Sequence, residues 1–239
     1  MSFYDTVEER FKDWNYVHPL ILASFVRSLK PQVIVECGLY RGFAACHMAH
    51  SLQQNNTGKL IAIDNFSLKE HVDRYGDPRT HAEENIKACG VDQWIEIHEG
   101  ETSDPAMWPD KVDFCYVDAW HSYQACVSDC MMAIERGATF LAMDDTENCV
   151  GPRMTADWLA SGLDWQRLDI HSDNGMVIFM KGQQRRPITF SQELPLPNPG
   201  VDLRPLSLGE QYKHFAEASA ITGIDYSSIL EHTEHDLVL

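Results

Sequence analysis

Basic residues are scarce in this 239-residue chain: 19 Lys and Arg stand against 36 Asp and Glu, a formal net charge of −17. A surface of that sign repels the phosphates of nucleic acid and of anionic lipid, so neither is expected as a partner. The one basic cluster, Arg185-Arg186 beside Lys181, reads as a solvated linker. Missing too is any apolar run of about 18 residues, the length that spans a bilayer. The opening "MSFYDTVEERFKDW" is acidic and amphipathic, without the basic start and apolar core of a secretory signal. Ser2 excludes the myristoylation pattern. Of the seven cysteines, Cys126 and Cys130 share a helix face, but no second pair completes a zinc site. Reduced core thiols in a cytoplasmic protein are the expectation.

What is present is alternation. Strand-like runs "QVIVECG", "KLIAID", "WIEIHEG", "VDFCYVD" and "ATFLAMDD" are separated by amphipathic helical segments. A helical stretch from Pro19 to Leu29 precedes the first strand, and "GPRMTADWLASG" follows the fifth. Helices between successive strands imply right-handed crossovers and a mainly parallel sheet. Two last strands, "WQRLDI" and "GMVIFMK", flank Asn174-Gly175, a hairpin signal that adds an antiparallel strand near one edge.

After Lys181 the pattern stops. "GQQRRPITFSQELPLPNPGVDLRPLS" holds five prolines and no periodicity. The expected organisation is therefore a domain over residues 1–182 and an extension over 183–239. The extension is too small for its own core. Its Phe190, Leu194, Leu203, Phe215 and Ile221 are expected to be covered by the domain or by a second copy in a homo-oligomer. The mixed-charge stretch 66–81 reads as a flap over the ligand site.

Ligands of an open α/β sheet sit beyond the carboxyl ends of its strands. Strand one ends in "VECGLYRG", presenting Glu36, Gly38, Tyr40 and Gly42. The spacing E-x-G-x-x-x-G departs from the G-x-G-x-x-G of dinucleotide sites, which disfavours a nicotinamide-dependent oxidoreductase. Strand two ends on Asp64-Asn65, about 20 residues on, where a carboxylate partners a ribose diol. Strand three leads into Glu101-Thr102, strand four ends on Asp118, and strand five ends on Asp144-Asp145.

In this order the motifs resemble those of the class I S-adenosylmethionine-dependent methyltransferases, over roughly Val7 to Lys181. The resemblance implies a Rossmann-like, doubly wound, seven-stranded sheet and S-adenosyl-L-methionine as cofactor. It places Glu36, Gly38, Tyr40 and Gly42 at the methionine end, Asp64 and Asn65 at the ribose, and Glu101 and Thr102 beside the adenine. "VDAWHSY" is similar to the D-x-x-H-S-Y of small-molecule methyltransferases, with Asp118 at the cofactor or acceptor. The expected activity is methylation of a small-molecule acceptor, most readily at oxygen; a non-catalytic binding protein of the same fold is the alternative.

A hydroxyl acceptor must lose a proton. Free imidazole titrates near about 6.5, so His121 suits the base role, with Asp118 as its catalytic companion. Asp118, Asp144 and Asp145 can converge at the strand ends; their mutual repulsion would be relieved by a cation. Oxygen donors suit Mg²⁺, which would hold the acceptor hydroxyl. The competing expectation is that Asp145 caps the next turn and Asp144 bonds backbone, with no metal.

Overall fold

The computed structural model describes residues 2–12, 17–67, 72–73, 76–162, 164–172 and 174–182. The five extension residues named above, and residues 68–71 and 74–75 of the expected flap, lie outside that set.

The chain opens with α1 (Phe3–Phe11), which the sequence reading did not assign. A capping box starts it: Asp5 N donates to the Ser2 hydroxyl, and the Asp5 carboxylate accepts from Ser2 N at 2.9 Å. Val7 and Phe11, one turn apart, are the side it buries. Then follow α2 (Val17–Leu29), β1 (Val33–Cys37), α3 (Phe43–Asn55), β2 (Lys59–Asp64) and α4 (Pro78–Ala88). Asp77 caps α4 and Pro78 opens it, so the helix begins inside the stretch expected to be a flap. Next come β3 (Ile95–Glu99), β4 (Phe114–Val117), α5 (Tyr123–Glu135), β5 (Phe140–Met143), α6 (Val150–Gly162), β6 (Trp165–Ile170) and β7 (Met176–Lys181).

The strands form one seven-stranded sheet in the order β3-β2-β1-β4-β5-β7-β6. β1 pairs in parallel with β2 and β4, β2 with β3, and β6 runs antiparallel to β7. This is the mixed sheet with a terminal hairpin that the alternation implied. The strand order reverses on either side of β1, the switch point where such sheets bind ligands. β1, β4 and β5 are apolar almost throughout because helices cover both faces, whereas edge strand β3 is half-exposed. Asp113 fixes the register at the start of β1: its carboxylate accepts from Gln32 N at 2.7 Å and Val33 N at 2.9 Å.

Two compact units divide the chain. One comprises Met1–Ala119 and Asp129–Ala142, the other Trp120–Ser128 and the chain from Met143 onward. Phe25, Phe114 and Phe140 meet in the core of the first, with ring centroids 4.8 and 4.9 Å apart. In the second, the hairpin tip anchors the loop after β5: Thr146 N donates to Gly175 O at 3.1 Å and Glu147 N to Asn174 O at 2.8 Å.

Candidate active site

The first unit gathers the strand-end residues around the loop between β1 and α3. Gly38 adopts φ +87°, and a Cβ there would lie 2.3 Å from the carbonyl oxygen of Asp118. Only glycine allows β4 to end so close to that loop. Asp118 N donates to Cys37 O at 2.9 Å, which carries the β1–β4 pairing one residue past the strands. Gly42, at φ +82°, is the N-cap of α3, so the loop opens directly onto that helix's N-terminal amides. Tyr40 also holds a positive φ, 49°.

Asp64 is occupied with the loop itself. One carboxylate oxygen accepts from Leu39 N at 2.8 Å and Tyr40 N at 2.9 Å; the other accepts from Phe66 N at 2.7 Å. Each carboxylate oxygen carries two lone pairs, so the second oxygen keeps one acceptor site for a ligand hydroxyl. Asn65 donates to Glu101 at 2.8 Å, joining the ends of β2 and β3. Thr102 is buried, and its carbonyl accepts from the Trp108 indole at 2.7 Å.

Glu36 is 1% exposed, and its Oε2 has no hydrogen-bond partner among the described residues. Burial, then the charges of Asp118 and Asp64, hold its carboxyl well above the usual carboxylate range, with an amide hydrogen bond from Ala45 pulling the other way. A buried, unpartnered acceptor beside a glycine loop fits a cationic ligand, because a positive charge there offsets the repulsion of three neighbouring carboxylates. The side chain of Asp118 is steadied by the Tyr116 hydroxyl, which donates to it at 3.2 Å.

His121, Asp144 and Asp145 lie in the second unit. His121 Nε2 stands 3.1 Å from Asp145 Oδ2, and its Nδ1 stands 3.3 Å from Cys149 Sγ. Asp144 turns back on the chain, accepting from Asp145 N at 2.8 Å. Among the described residues, the one group of three metal-ligating side chains within reach of a single ion is His121, Asp145 and Cys149. It retains Asp145 from the set expected for magnesium and brings in nitrogen and sulfur donors. Cys149 was missed by the sequence reading; the sole signal was its place four residues after Asp145 in a loop, a spacing with no meaning outside a helix.

The order of strands and the loop geometry now meet the comparison with known proteins. Residues 35–146 match a family model described as a methyltransferase domain. The fold is a Rossmann-like methyltransferase fold. A protein from Klebsiella pneumoniae described as a candidate O-methyltransferase superposes with a TM-score of 0.60 at 16% identity, covering 75% of this chain and 89% of that one. The O-methyltransferase of tomaymycin synthesis from Streptomyces achromogenes, solved with S-adenosylmethionine, gives 0.57 at 16% identity over 75% and 88%. That of Bacillus cereus, solved with S-adenosylhomocysteine, gives 0.57 at 17% identity over 74% and 91%. No curated protein matches the chain by sequence. Among the described residues, no helix of this methyltransferase fold is long and apolar enough to cross a membrane.

Proposed function

We propose that the chain transfers a methyl group from S-adenosylmethionine to an oxygen of a small-molecule acceptor. The observation that carries this reading is Glu36 Oε2, a buried acceptor without a partner among the described residues, beside the β1–α3 loop. The match to a methyltransferase domain over residues 35–146 supports it, as do neighbours solved with that cofactor or its demethylated product. When bound, the cofactor would supply a sulfonium methyl open to in-line attack by an acceptor oxygen, with S-adenosylhomocysteine as the leaving group.

The protein's part is to hold and to orient. Gly38, Tyr40 and Gly42 shape the loop; Glu36 would face the cofactor's positive charge, Asp64 would offer its remaining acceptor site to the ribose, and Glu101 with Thr102 would border the base. His121 takes the acceptor's proton, and Asp145 stabilises the resulting imidazolium. The direct test is calorimetry with S-adenosylmethionine and S-adenosylhomocysteine. Micromolar binding is expected, and no heat with either ligand at any accessible concentration sinks the reading.

A proton accompanies that binding. Glu36 binds its proton more tightly than an ordinary carboxyl, and a cation at Oε2 reverses this, so cofactor binding releases a proton and tightens as pH rises. Calorimetry in buffers of differing ionisation enthalpy should show the release. Glu36→Gln should abolish it and weaken binding about 10- to 100-fold, as for loss of a charged hydrogen bond. An unchanged proton count in the variant would remove Glu36 from the site.

The non-catalytic alternative has one observation in its favour: both ring nitrogens of His121 are engaged, by Asp145 and Cys149. A base must turn one of them to the acceptor. Cofactor binding without methyl transfer across a panel of hydroxyl and amine acceptors would establish that alternative. Magnesium assistance through Asp118, Asp144 and Asp145 is the weaker half of the reading, because the donors that are gathered include sulfur, which magnesium avoids. Activity that survives EDTA in full would remove it.

A further inference from the structure

The second unit brings together one imidazole, one carboxylate and one thiol, with a ligand atom of each within 4.8 Å of the others. We propose that His121, Asp145 and Cys149 bind a borderline-soft divalent cation, zinc by the chemistry of the donors. Tetrahedral zinc, with bonds of about 2.0–2.3 Å, holds its ligand atoms roughly 3.3–3.8 Å apart. Taking one ligand atom from each residue, the three lie within 4.8 Å of one another, so a closure of about 1 Å brings them to that scale. A thiolate and an imidazole select zinc over magnesium or calcium, which take oxygen almost alone. Three protein ligands leave the fourth position open to water or to a ligand hydroxyl.

Access separates this thiol from the rest. All seven cysteines are free; six are buried, and Cys149 alone is half-exposed. His121 is exposed and Asp145 half-buried, so an ion arriving from solvent can reach all three.

The backbone around the donors is held from several sides. Cys149 N donates to Asp145 O at 2.8 Å, fixing the two ligands one turn apart. Asp145 keeps a left-handed φ of 57°. Gly151 passes so near the His121 backbone that an added Cβ would lie 2.1 Å from its carbonyl oxygen. The hairpin tip ties down Thr146 and Glu147 between the ligands.

Without an ion, the imidazole bridges carboxylate and thiol through its two nitrogens. Binding requires the ring to turn so that one nitrogen ligates, which its exposure permits. The thiol gives its proton to solvent as the sulfur–zinc bond forms, so binding strengthens with pH. With the ion in place His121 is a ligand and does not take the acceptor's proton. Ion binding and the base role of His121 therefore exclude each other, and the test of the ion site needs no turnover.

Full-length protein freed of metal with chelator is titrated with Co²⁺, a spectroscopic stand-in for zinc. The expected result is a near-ultraviolet thiolate-to-cobalt charge-transfer band, bleached by one equivalent of zinc and unaffected by magnesium. Cys149→Ser should lose the band and bind zinc at least about 100-fold more weakly, since even outer partners of metal ligands are worth about 10–100-fold. Asp145→Asn, which tolerates the left-handed φ, should weaken zinc about tenfold or more while the fold is kept. If Cys149→Ser does not fold, thiol labelling of the wild type reads the same contact: Cys149 should react first, and zinc should slow it at least tenfold. No charge-transfer band together with no zinc protection, or a Cys149→Ser variant that binds zinc like wild type, overturns the proposal.

Discussion

Replacing Gly38 by alanine is expected to destabilise the first unit by about 3–5 kcal/mol and to abolish cofactor binding. Two costs combine. A side chain at φ +87° is strained wherever it stands, by about 1–2 kcal/mol. The new Cβ would also meet the Asp118 carbonyl oxygen at 2.3 Å and the Ala119 Cα at 2.8 Å, both backbone atoms that cannot swing aside. Relief requires β4 to move off the loop, which breaks the Asp118 N to Cys37 O bond. Gly90→Ala is the control, because Gly90 has φ +68° and nothing within 4 Å of the added Cβ. It should show the conformational cost alone, about 1 kcal/mol. Urea unfolding of both variants decides the matter: equal losses would mean that the close approach of β4 is not what position 38 protects.

The same residue shows why the fold was legible. Gly38 and Gly42 mark a sharp turn between an apolar run and a helix, and that reading needs only φ preferences and periodicity. The mainly parallel pairing needs only the helices between strands and the handedness of crossovers. These are local rules acting on long, regular segments, and all seven strands obey them. Helix α1 escaped because its nine residues carry a charged, weakly apolar pattern. Its signal was the Ser2–Asp5 capping box, with aspartate in place of the usual glutamate or glutamine.

The site was legible only in part, for a physical reason. Which strand ends carry acids follows from where apolar runs stop. What each acid touches depends on loop geometry that no period encodes. Asp64 illustrates this: the sequence marks it as a ribose partner, while the structure has it accepting three backbone amides of neighbouring turns. His121 illustrates it again. Its partners Asp145 and Cys149 are 24 and 28 residues away, reached only through the packing of α6's first turn on the His121 backbone.

Asp129→Asn is expected to stabilise the protein above neutral pH, by an amount that grows as pH rises from about 4 to 7. Asp129 lies on α5, fully buried, and neither carboxylate oxygen meets a hydrogen-bond partner among the described residues. Burial pushes its carboxyl up to about 7; the Thr102 hydroxyl, close by but outside good hydrogen-bond geometry, offsets only part of this. Between the ordinary carboxylate range and about 7, the folded chain holds a proton there that the unfolded chain has released. Stability therefore falls with rising pH across that window and levels off above it. A displacement of about three units corresponds to roughly 4 kcal/mol at pH 8, an upper figure because a buried carboxylate recruits some water. The amide carries no charge at any pH, so the variant escapes the penalty. Its own unpaired donors cost about 1–3 kcal/mol at every pH, which lowers its curve without tilting it. Urea midpoints from pH 4.5 to 8.5 should thus diverge in favour of the variant as pH rises, most steeply near pH 5–6 and levelling off above about 7. Parallel curves for the two proteins would show that Asp129 is not a buried acid held against its ionisation.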